Sequence, residues 1–286
     1  MKRTLLKSGL MAAALVTAVT GQAKADPVPD TLVVNGEIEM TTWTEPSEYM
    51  SKILPELISG WHYREEDTRD MQRDDFDNPA MLFVDQARDT WNTVEGTAGQ
   101  SCASCHEDPE SLAGFWAAQP KVNPENGELW AAEQYVNNCR TERMGAEAYG
   151  WNSQPMRNMT ALIASVSRGL PMNVAVDGPA APFWEKGREI YYTRYGQMEL
   201  ACANCHEANN GQYIRADHLS QGHINGFPTY RLRDAGLVSR HNRFFGCIRD
   251  TRGVPYEIGS PEFVALELYV ASRGNGLSVE GPAVRN

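Results

Sequence analysis

The sequence is poor in positive charge and, after its first residues, in long hydrophobic runs. It has 26 lysine and arginine residues against 37 aspartate and glutamate residues, for a formal net charge of −11. Because phosphate binding needs a basic surface, this balance argues against a nucleic-acid partner. No second run is long and apolar enough to cross a bilayer, so we expect no membrane insertion. Hydrophobic residues make up 42% of the 286 residues, which is typical of a globular chain, and the length favours two domains.

The N-terminus has the pattern of an export signal. Three basic residues within the first seven precede an apolar run over 9–21, and Ala23-Lys24-Ala25 fits a small-x-small cleavage site. The run is short for a membrane span, although a retained anchor is the alternative. We expect residues 1–25 to be a signal peptide that is removed after about Ala25. Removal takes four positive charges and leaves a periplasmic protein of net charge −15.

Four of the six cysteines lie in two C-x-x-C-H motifs, Cys102-Ala-Ser-Cys105-His106 and Cys202-Ala-Asn-Cys205-His206. This is the attachment signature of c-type haem, in which two thiols bind the vinyl groups and the histidine ligates iron. The spacing is tight because both thiols must reach one macrocycle from one short turn. Disulfides or a zinc site are the alternatives, and they explain the repetition less well. The sequence predicts two covalently bound haem c groups.

The similarity between the two motifs, which lie 100 residues apart, continues upstream in the same register. The matching pairs include Phe83 and Phe183, Ala87 and Gly187, Arg88 and Arg188, Trp91 and Tyr191, and Gly96 and Gly196. The apolar members recur every four residues, which places them on one helix face. A further apolar helix follows each motif. One opens at Pro155 and closes at Arg168-Gly169, and the other opens at Pro261, with Ser260 as its N-cap, and closes at Arg273-Gly274.

Each half therefore consists of a helix, a haem motif, loops and a second helix, which resembles the class I cytochrome c fold occurring twice. We predict a mainly α protein with two tandem class I cytochrome c-like domains, 79–170 and 171–286, after an N-terminal extension, 26–78. Residues 31–40 alternate in polarity and predict a short strand or hairpin. The charge-dense stretch 61–78 is expected to be solvated, and 169–181 is expected to be a linker.

Cys139 and Cys247 lie outside the motifs, 30 and 27 residues before the glycines that close the two halves. In a small cytochrome the chain returns here to supply the distal iron ligand. The second half has no methionine or lysine between His206 and the closing glycine. Its candidate ligands are His218, His223, His241 and Cys247.

The first half has no histidine between its haem motif and Gly169, which leaves Cys139 or Met144 as the distal ligand. Met156 and Met159 fit the core face of their helix better. Cys139 is favoured because it corresponds in position to Cys247. A disulfide between these two cysteines is the alternative, and the repeat argues against it because each cysteine would belong beside its own haem.

An arginine-rich stretch surrounds Cys247. Six arginines are opposed only by Asp234 and Asp250: Arg231, Arg233, Arg240, Arg243, Arg249 and Arg252. A guanidinium group suits oxyanion recognition, and a cationic surrounding favours a thiolate. Most of these arginines are expected to pair with haem propionates or carboxylates. Arg243 lies four residues before Cys247, so on a helix the two side chains face the same way, which favours a role at the site.

Thiolate ligation would also affect the redox chemistry of the chain. A thiolate donates charge to iron, stabilises the ferric state and lowers the reduction potential. A protein with two such haems would be a poor electron carrier at ordinary periplasmic potentials. The pattern therefore indicates chemistry at the ligand sulfur itself.

The two haem motifs, the lone cysteine after each and the Arg243-Phe-Phe-Gly-Cys247 stretch together resemble the dihaem branch of the SoxA family. SoxA is the catalytic subunit of the SoxAX cytochrome of thiosulfate oxidation. The resemblance covers essentially the whole mature chain, and the combination is specific, whereas either haem motif alone would not be.

The resemblance implies an L-cysteine S-thiosulfotransferase. The enzyme joins thiosulfate oxidatively to a cysteine of the SoxYZ carrier and passes two electrons to an external cytochrome c. It implies His106 and Cys139 as ligands of the first iron, and His206 and Cys247 as ligands of the second, in the catalytic domain 171–286. Cys247, modified as a persulfide, and Arg243 would be the catalytic residues. A mono-haem SoxX subunit would complete a heterodimer.

Two other functions remain as alternatives. A dihaem electron carrier would have methionine or histidine as distal ligands, and the lack of methionine after His206 counts against it. A dihaem peroxidase would need an open iron position for peroxide. Cysteine ligation of both irons would exclude it.

Overall fold

The computed structural model describes residues 26–286. The expected signal peptide, 1–25, lies outside these residues. Among the described residues, no helix has both the length and the apolar character that a bilayer span requires.

Nine α-helices lie in the described part of the chain, and several are only one turn long. They are α1 (Glu66–Asp70), α2 (Met81–Asn92), α3 (Ala103–His106), α4 (Ala132–Asn138), α5 (Gln154–Ser165), α6 (Ala181–Tyr192), α7 (Cys202–His206), α8 (Arg240–Asp250) and α9 (Pro261–Ser272).

The strands are two or three residues long. They are β1 (Val33–Val34), β2 (Ile38–Glu39), β3 (Trp43–Thr44), β4 (Leu57–Ile58), β5 (Lys121–Val122), β6 (Leu129–Trp130), β7 (Tyr213–Ile214), β8 (Asp217–His218), β9 (Thr229–Arg231), β10 (Gly236–Val238) and β11 (Ala283–Arg285). The first eight form four antiparallel pairs of neighbours in sequence, and β9 lies between antiparallel β10 and parallel β11.

Two helix pairs carry the core, α2 with α5 and α6 with α9. The expected start of α9 is confirmed, because the Ser260 hydroxyl accepts the Phe263 N–H at 3.3 Å. Helix α5 begins one residue before Pro155, with the Ser153 hydroxyl accepting from the Met156 N–H. Both N-caps satisfy backbone donors that the helix itself leaves unpaired.

The first helix of each pair buries the residues that recur in the sequence. Ala87 and Trp91 are buried on α2, and Gly187 and Tyr191 are buried on α6. Gly187 allows a closer helix crossing than Ala87 does. A Cβ atom added at Gly187 would collide with the Ala265 carbonyl of α9, so only glycine fits at this crossing.

A matched loop follows each of these helices. Isolated antiparallel bridges join Glu95 to Gln100 and Tyr195 to Leu200. Gly96 and Gly196 have φ of 73° and 66°, which favours glycine. A Cβ atom at either glycine would collide with backbone just beyond that half's lone cysteine, at 144–146 or 251–253. The loop and the cysteine segment of each half are therefore in direct contact.

The N-terminal extension is more ordered than the sequence suggests. The predicted hairpin is confirmed, with Val33 opposite Glu39. The expectation that 61–78 is solvated is wrong at its start, because Trp61, His62 and Tyr63 are buried. Arg69 and Arg73 lie over the Trp61 ring, 5.1 and 4.9 Å from its centroid. The guanidinium groups of these two arginines therefore cover the buried Trp61 ring in a cation–π arrangement.

The stretch expected to be a linker lies against the end of the chain. Met172 N donates to the Leu277 carbonyl at 2.8 Å, and Val279 N donates to the Leu170 carbonyl at 2.8 Å. Met172 and Val174 are buried. Segment 170–174 is thus part of the packed structure between the two helix pairs.

Candidate functional site

Each C-x-x-C-H motif lies on a one-turn helix, α3 or α7, beside the first helix of its pair. At the first motif, the His106 ring lies 5.9 Å from the ring of Trp91 on α2. The Trp91 indole N–H donates to the Glu107 carbonyl at 2.8 Å, which ties the end of α3 to α2. This turn presents the two thiols and the histidine together, as attachment to one macrocycle requires.

The second motif holds its histidine more firmly. The Nδ1 atom of His206 lies 2.8 Å from the Ser220 carbonyl oxygen. A carbonyl only accepts, so Nδ1 carries the proton and Nε2 keeps its lone pair for a metal. Burial lowers the pKa of His206 to about 4, which keeps the ring neutral. Gly222 lies against this ring, and a Cβ atom there would come within 2.7 Å of it.

Unpartnered donors lie beside the second motif. Arg273 is fully buried, and one of its terminal nitrogens donates to the Glu207 carboxylate. In the described part of the chain its Nε and Nη2 atoms have no hydrogen-bond partner. The hydroxyl of Tyr191, whose ring centroid lies 4.5 Å from the guanidinium carbon, has none there either. Buried donors without partners are costly, and a carboxylate would satisfy them. The residues present therefore fit a haem, whose propionates are such carboxylates.

All six cysteines have free thiols, and the lone cysteines lie beside the motif of their own half. Cys247 is on α8, and Cys139 begins a wider helical turn, Cys139–Met144, directly after α4. Burial and the nearby Cys247 sulfur together raise the pKa of Cys202 to about 12. The alternative of a Cys139–Cys247 disulfide is not formed.

The same proximity holds in the first half. Burial raises the pKa of Cys139, the Arg143 charge opposes this rise, and the nearby Cys105 sulfur adds to it. Both lone cysteines are therefore placed where the sequence expected them, next to the thiols that would hold a haem.

The other candidate ligands of the second half have partners of their own. His223 Nε2 lies 2.8 Å from the side-chain oxygen of Gln221. His241 stacks on Trp151, with ring centroids 5.0 Å apart, and its Nε2 lies 2.9 Å from the Glu267 carboxylate. His218 Nε2 lies 3.2 Å from the Gly211 carbonyl oxygen.

The methionines of the first half are buried. Met156 and Met159 lie in α5, where the sequence expected them to form part of the core. Met144, the rival to Cys139, is also buried, at the end of the wide turn that Cys139 begins.

The six arginines do not all gather around Cys247. Arg240 is buried and pairs with Glu267 at 2.7 Å, and Arg249 pairs with Asp250 at 2.8 Å. Arg231 and Arg233 both pair with Asp234, at 3.1 and 3.4 Å. The arginines are close in sequence, but Arg231 and Arg233 precede α8, and Arg240 and Arg249 on α8 pair with different carboxylates.

Arg243 is different from the other arginines of this stretch. It is exposed, and it makes no hydrogen bond or ion pair with any side chain of residues 26–286. The Cys247 charge raises the pKa of Arg243 by more than burial lowers it, which places the guanidinium close to that sulfur. Arg243 thus offers a full set of donors next to Cys247.

Sequence reasoning missed two arginines that the structure brings to this region. The sequence predicts Arg273 only as the basic residue that closes a helix. Arg64 lies in the N-terminal extension, outside both repeats. The positive charge of Arg243 lowers the pKa of Arg64, so the two guanidinium groups lie near each other. No spacing rule relates Arg64 to Arg243, because only the tertiary fold brings them near each other.

Comparison with known proteins matches these features to one family. Residues 86–172 match the family model described as SoxA/TsdA, cytochrome c domain. The chain is 57% identical to L-cysteine S-thiosulfotransferase subunit SoxA of Paracoccus pantotrophus, over 99% of each chain. It is 56% identical to the protein of the same name from Rhodovulum sulfidophilum, over 97% of this chain and 98% of that one.

A solved structure has the same fold. The crystal structure of SoxXA from P. pantotrophus superposes with a TM-score of 0.89 at 57% identity. The match covers 91% of this chain and all of the matched chain.

Proposed function

The chain belongs to the SoxA family, and from this premise we propose that it is the catalytic subunit of a haem-dependent L-cysteine S-thiosulfotransferase. Its substrates are thiosulfate and a cysteine thiol of a SoxYZ-like carrier protein. The observation that carries the proposal is the unpaired guanidinium of Arg243 beside the Cys247 thiol, which itself lies next to a haem-attachment motif. Arg243 would hold the thiosulfate dianion next to the Cys247 sulfur.

The proposed domains are an N-terminal extension, 26–78, and two tandem class I cytochrome c-like domains, 79–170 and 171–286. The matched pairs α2–α5 and α6–α9 support this division. Each domain would hold one haem c through its C-x-x-C-H cysteines. His106 and Cys139 would ligate the first iron, and His206 and Cys247 the second. When bound, haem supplies the iron for these ligands and the redox chemistry that removes electrons.

The residues of this chain then have separate tasks. Arg243 binds the sulfonate end of thiosulfate through its planar set of donors and turns the outer sulfur toward Cys247. Cys247 provides the sulfur to which the outer sulfur atom of thiosulfate becomes bonded. The Ser220 carbonyl fixes the ring of His206, so that the proximal side does not rearrange.

The proposed reaction balances in two steps. The Cys247 thiolate and thiosulfate form an S–S bond, giving a Cys247 S-thiosulfonate and releasing two electrons to an external cytochrome c. The carrier thiol then attacks the sulfur bonded to Cys247. This step forms the carrier S-thiosulfonate, returns the Cys247 thiolate and releases one proton. A persulfide on Cys247 would extend the nucleophile by one sulfur without changing the balance.

The proposed setting is the periplasm, after removal of residues 1–25. The proposed partner is a mono-haem SoxX-like subunit in a heterodimer, which the SoxXA structure supports. The carrier and the acceptor cytochrome would be transient partners.

The mass of the tryptic peptide that carries Cys247 tests the proposal. The protein is purified without reductant, and the peptide is measured before and after incubation with thiosulfate. We expect an added sulfur or an added thiosulfonate on Cys247 after incubation. A bare and unreactive Cys247 would instead favour a dihaem electron carrier, and peroxide turnover would favour a dihaem peroxidase.

A further inference from the structure

We propose that Arg64, in the N-terminal extension, is a second binding residue for the thiosulfate dianion and acts together with Arg243. The inference rests on the proposed function, because it concerns the substrate of that same site. It assigns to the extension, which belongs to neither cytochrome repeat, a direct part in substrate binding.

The extension is fixed against the second half by several contacts. Ile58 N donates to the Gln221 side-chain oxygen at 2.8 Å, and the Gln221 side-chain nitrogen donates back to the Glu56 carbonyl at 3.0 Å. The Tyr63 ring meets the His218 ring edge-on, with centroids 5.0 Å apart. Residues 56–63 therefore run along segment 218–221, and this brings the next residue, Arg64, to the second haem motif.

The guanidinium of Arg64 is anchored on one side and free on another. Its Nη2 atom donates to the His218 carbonyl at 2.6 Å, whereas its buried Nε atom has no hydrogen-bond partner among residues 26–286. Ser220, two residues further along the same segment, holds the ring of His206. The backbone that positions the proposed iron ligand thus also positions Arg64. A donor that is held in place and left unpaired suits a ligand from solution.

Like charges converge around Arg64. Burial and the positive charges of Arg285 and Arg243 lower the pKa of Arg64 to about 10, whereas the charges of Asp217 and Tyr213 oppose this shift. Arg285 pairs with Glu280 at 3.2 Å, but Arg243 has no ion-pair partner within the described residues. Arg64 and Arg243 repel each other although Asp217 lies near both, and a bound dianion would offset this repulsion.

Kinetics and binding with thiosulfate test the role of Arg64. The protein is the assembled complex with its partner subunit and both haems attached. The variants are Arg64→Gln, Arg64→Lys and Arg243→Gln, with Arg233→Gln as the matched control. Arg233 is an exposed arginine nearby, and its only described partner is Asp234. For each variant we would measure KM and kcat for thiosulfate. The Kd for thiosulfate would be measured by calorimetry without carrier or oxidant.

We expect Arg64→Gln to raise KM and Kd by about ten- to a hundredfold, the usual effect of losing a charge-assisted hydrogen bond. The value of kcat should change by less than about threefold, because Arg64 binds the dianion rather than the reacting sulfur. Arg64→Lys should recover part of the affinity, because it keeps the charge and loses the planar set of donors. Arg233→Gln should behave like the wild type.

Three outcomes would overturn the inference. One is an unchanged KM and Kd in Arg64→Gln beside a raised KM in Arg243→Gln. Another is a shifted reduction potential of the second haem with unchanged Kd, which would assign Arg64 to a propionate. The third is a loss of affinity in Arg64→Gln that Arg64→Lys restores fully together with the melting temperature, which would indicate a structural role. If the wild type binds thiosulfate through Arg64 but does not turn it over, the inference stands and the proposed function fails.

Discussion

The two halves of the molecule differ most at one matched position, four residues before the lone cysteine. In the first half this position is Tyr135, whose ring packs edge-on against Phe115 and Trp130 at centroid distances of 5.5 and 5.1 Å. In the second half it is Arg243, which is exposed and has no ion-pair partner within 26–286. At this matched position the first half therefore has a ring that packs against other aromatic rings, whereas the second half has a charged side chain that is exposed to solvent.

One charge next to the first site is neutralised, whereas the charge of exposed Arg143 acts on Cys139. Arg140, directly after Cys139, pairs with Glu95 and donates to the Glu147 carbonyl at 2.9 Å. Its guanidinium carbon lies 3.5 Å from the centroid of the Tyr149 ring. Arg243 has no such set of partners. Two halves with the same backbone pattern can therefore have different roles. The contacts of a few side chains beside each lone cysteine determine whether that half can bind an anion.

Removal of each lone cysteine tests this comparison with the largest expected effect. Cys247→Ser should lower thiosulfate turnover by about 1000-fold or more, because it removes the sulfur nucleophile. Cys139→Ser should retain most of the turnover, because in the first half Tyr135, and not an arginine, stands four residues before the cysteine. Steady-state assays with thiosulfate and the carrier would measure both. Equal losses of turnover in the two variants would contradict the proposed difference between the two halves.

A second test addresses the boundary between the halves. There Arg240 of α8 pairs with Glu267 of α9, and its guanidinium carbon lies 4.1 Å from the centroid of the Trp116 ring in the first half. Both side chains are only 1% exposed. Arg240→Met should lower the free energy of unfolding by about 3–5 kcal/mol, because it leaves Glu267 charged, buried and short of a partner. Denaturant unfolding measures the change, and Arg249→Met, at an exposed pair on the same helix, is the control. Similar losses in the two variants would contradict this assignment.

The matched position itself can be tested directly. Arg243→Gln should raise KM for thiosulfate by about ten- to a hundredfold, which is the cost of a lost charge-assisted contact. Tyr135→Phe, at the equivalent position, should leave KM unchanged, because that ring is packed away from solvent. Initial rates over a range of thiosulfate concentrations measure both. A larger effect from Tyr135→Phe would reverse the proposed roles of the two sites.

The smallest expected effect concerns a buried carboxyl group of the first half. Burial and the negative charge of Glu267 raise the pKa of Glu133 from 4.5 to about 7. A raised pKa in the folded state contributes stability at low pH, and this contribution is lost as pH rises through about 7. Glu133→Gln should therefore raise the free energy of unfolding by about 1–2 kcal/mol at pH 8.

The gain from Glu133→Gln should shrink toward pH 5, where the carboxyl group of the wild type is protonated when folded. Denaturant unfolding at the two pH values measures this difference, with exposed Glu125→Gln as the control. A gain that does not depend on pH would show that the charge of Glu133 is not its cause.

The features that the sequence predicted correctly depend on short spacings. Each of these features involves residues within about four positions of one another. They are the two C-x-x-C-H turns, the cap at Ser260 and the helix faces around Trp91 and Tyr191. The repeat then related the two halves without any knowledge of the fold. The function followed from the family resemblance to these same motifs.

The features that were missed depend on distant contacts. The stretch 61–78 looks solvated because its charges are visible in sequence, whereas the packing that buries Trp61 is not. Arg240 was grouped with Arg243 because they are close in sequence, but the helix turns Arg240 toward Glu267. Arg64 reaches the second haem motif only through contacts with segment 218–221. None of these placements can be read from periodicity.

The route of the N-terminal extension also has a kinetic consequence. Gln72 lies 3.2 Å from the Glu280 carboxylate and accepts from Arg285 at 2.7 Å, across separations of 208 and 213 residues. A chain must lose the entropy of closing such long loops before these contacts can stabilise it, which slows folding. The helices of each half form from local contacts. The region where the two ends of the chain meet is therefore completed last, and the surroundings of Arg64 are assembled with it.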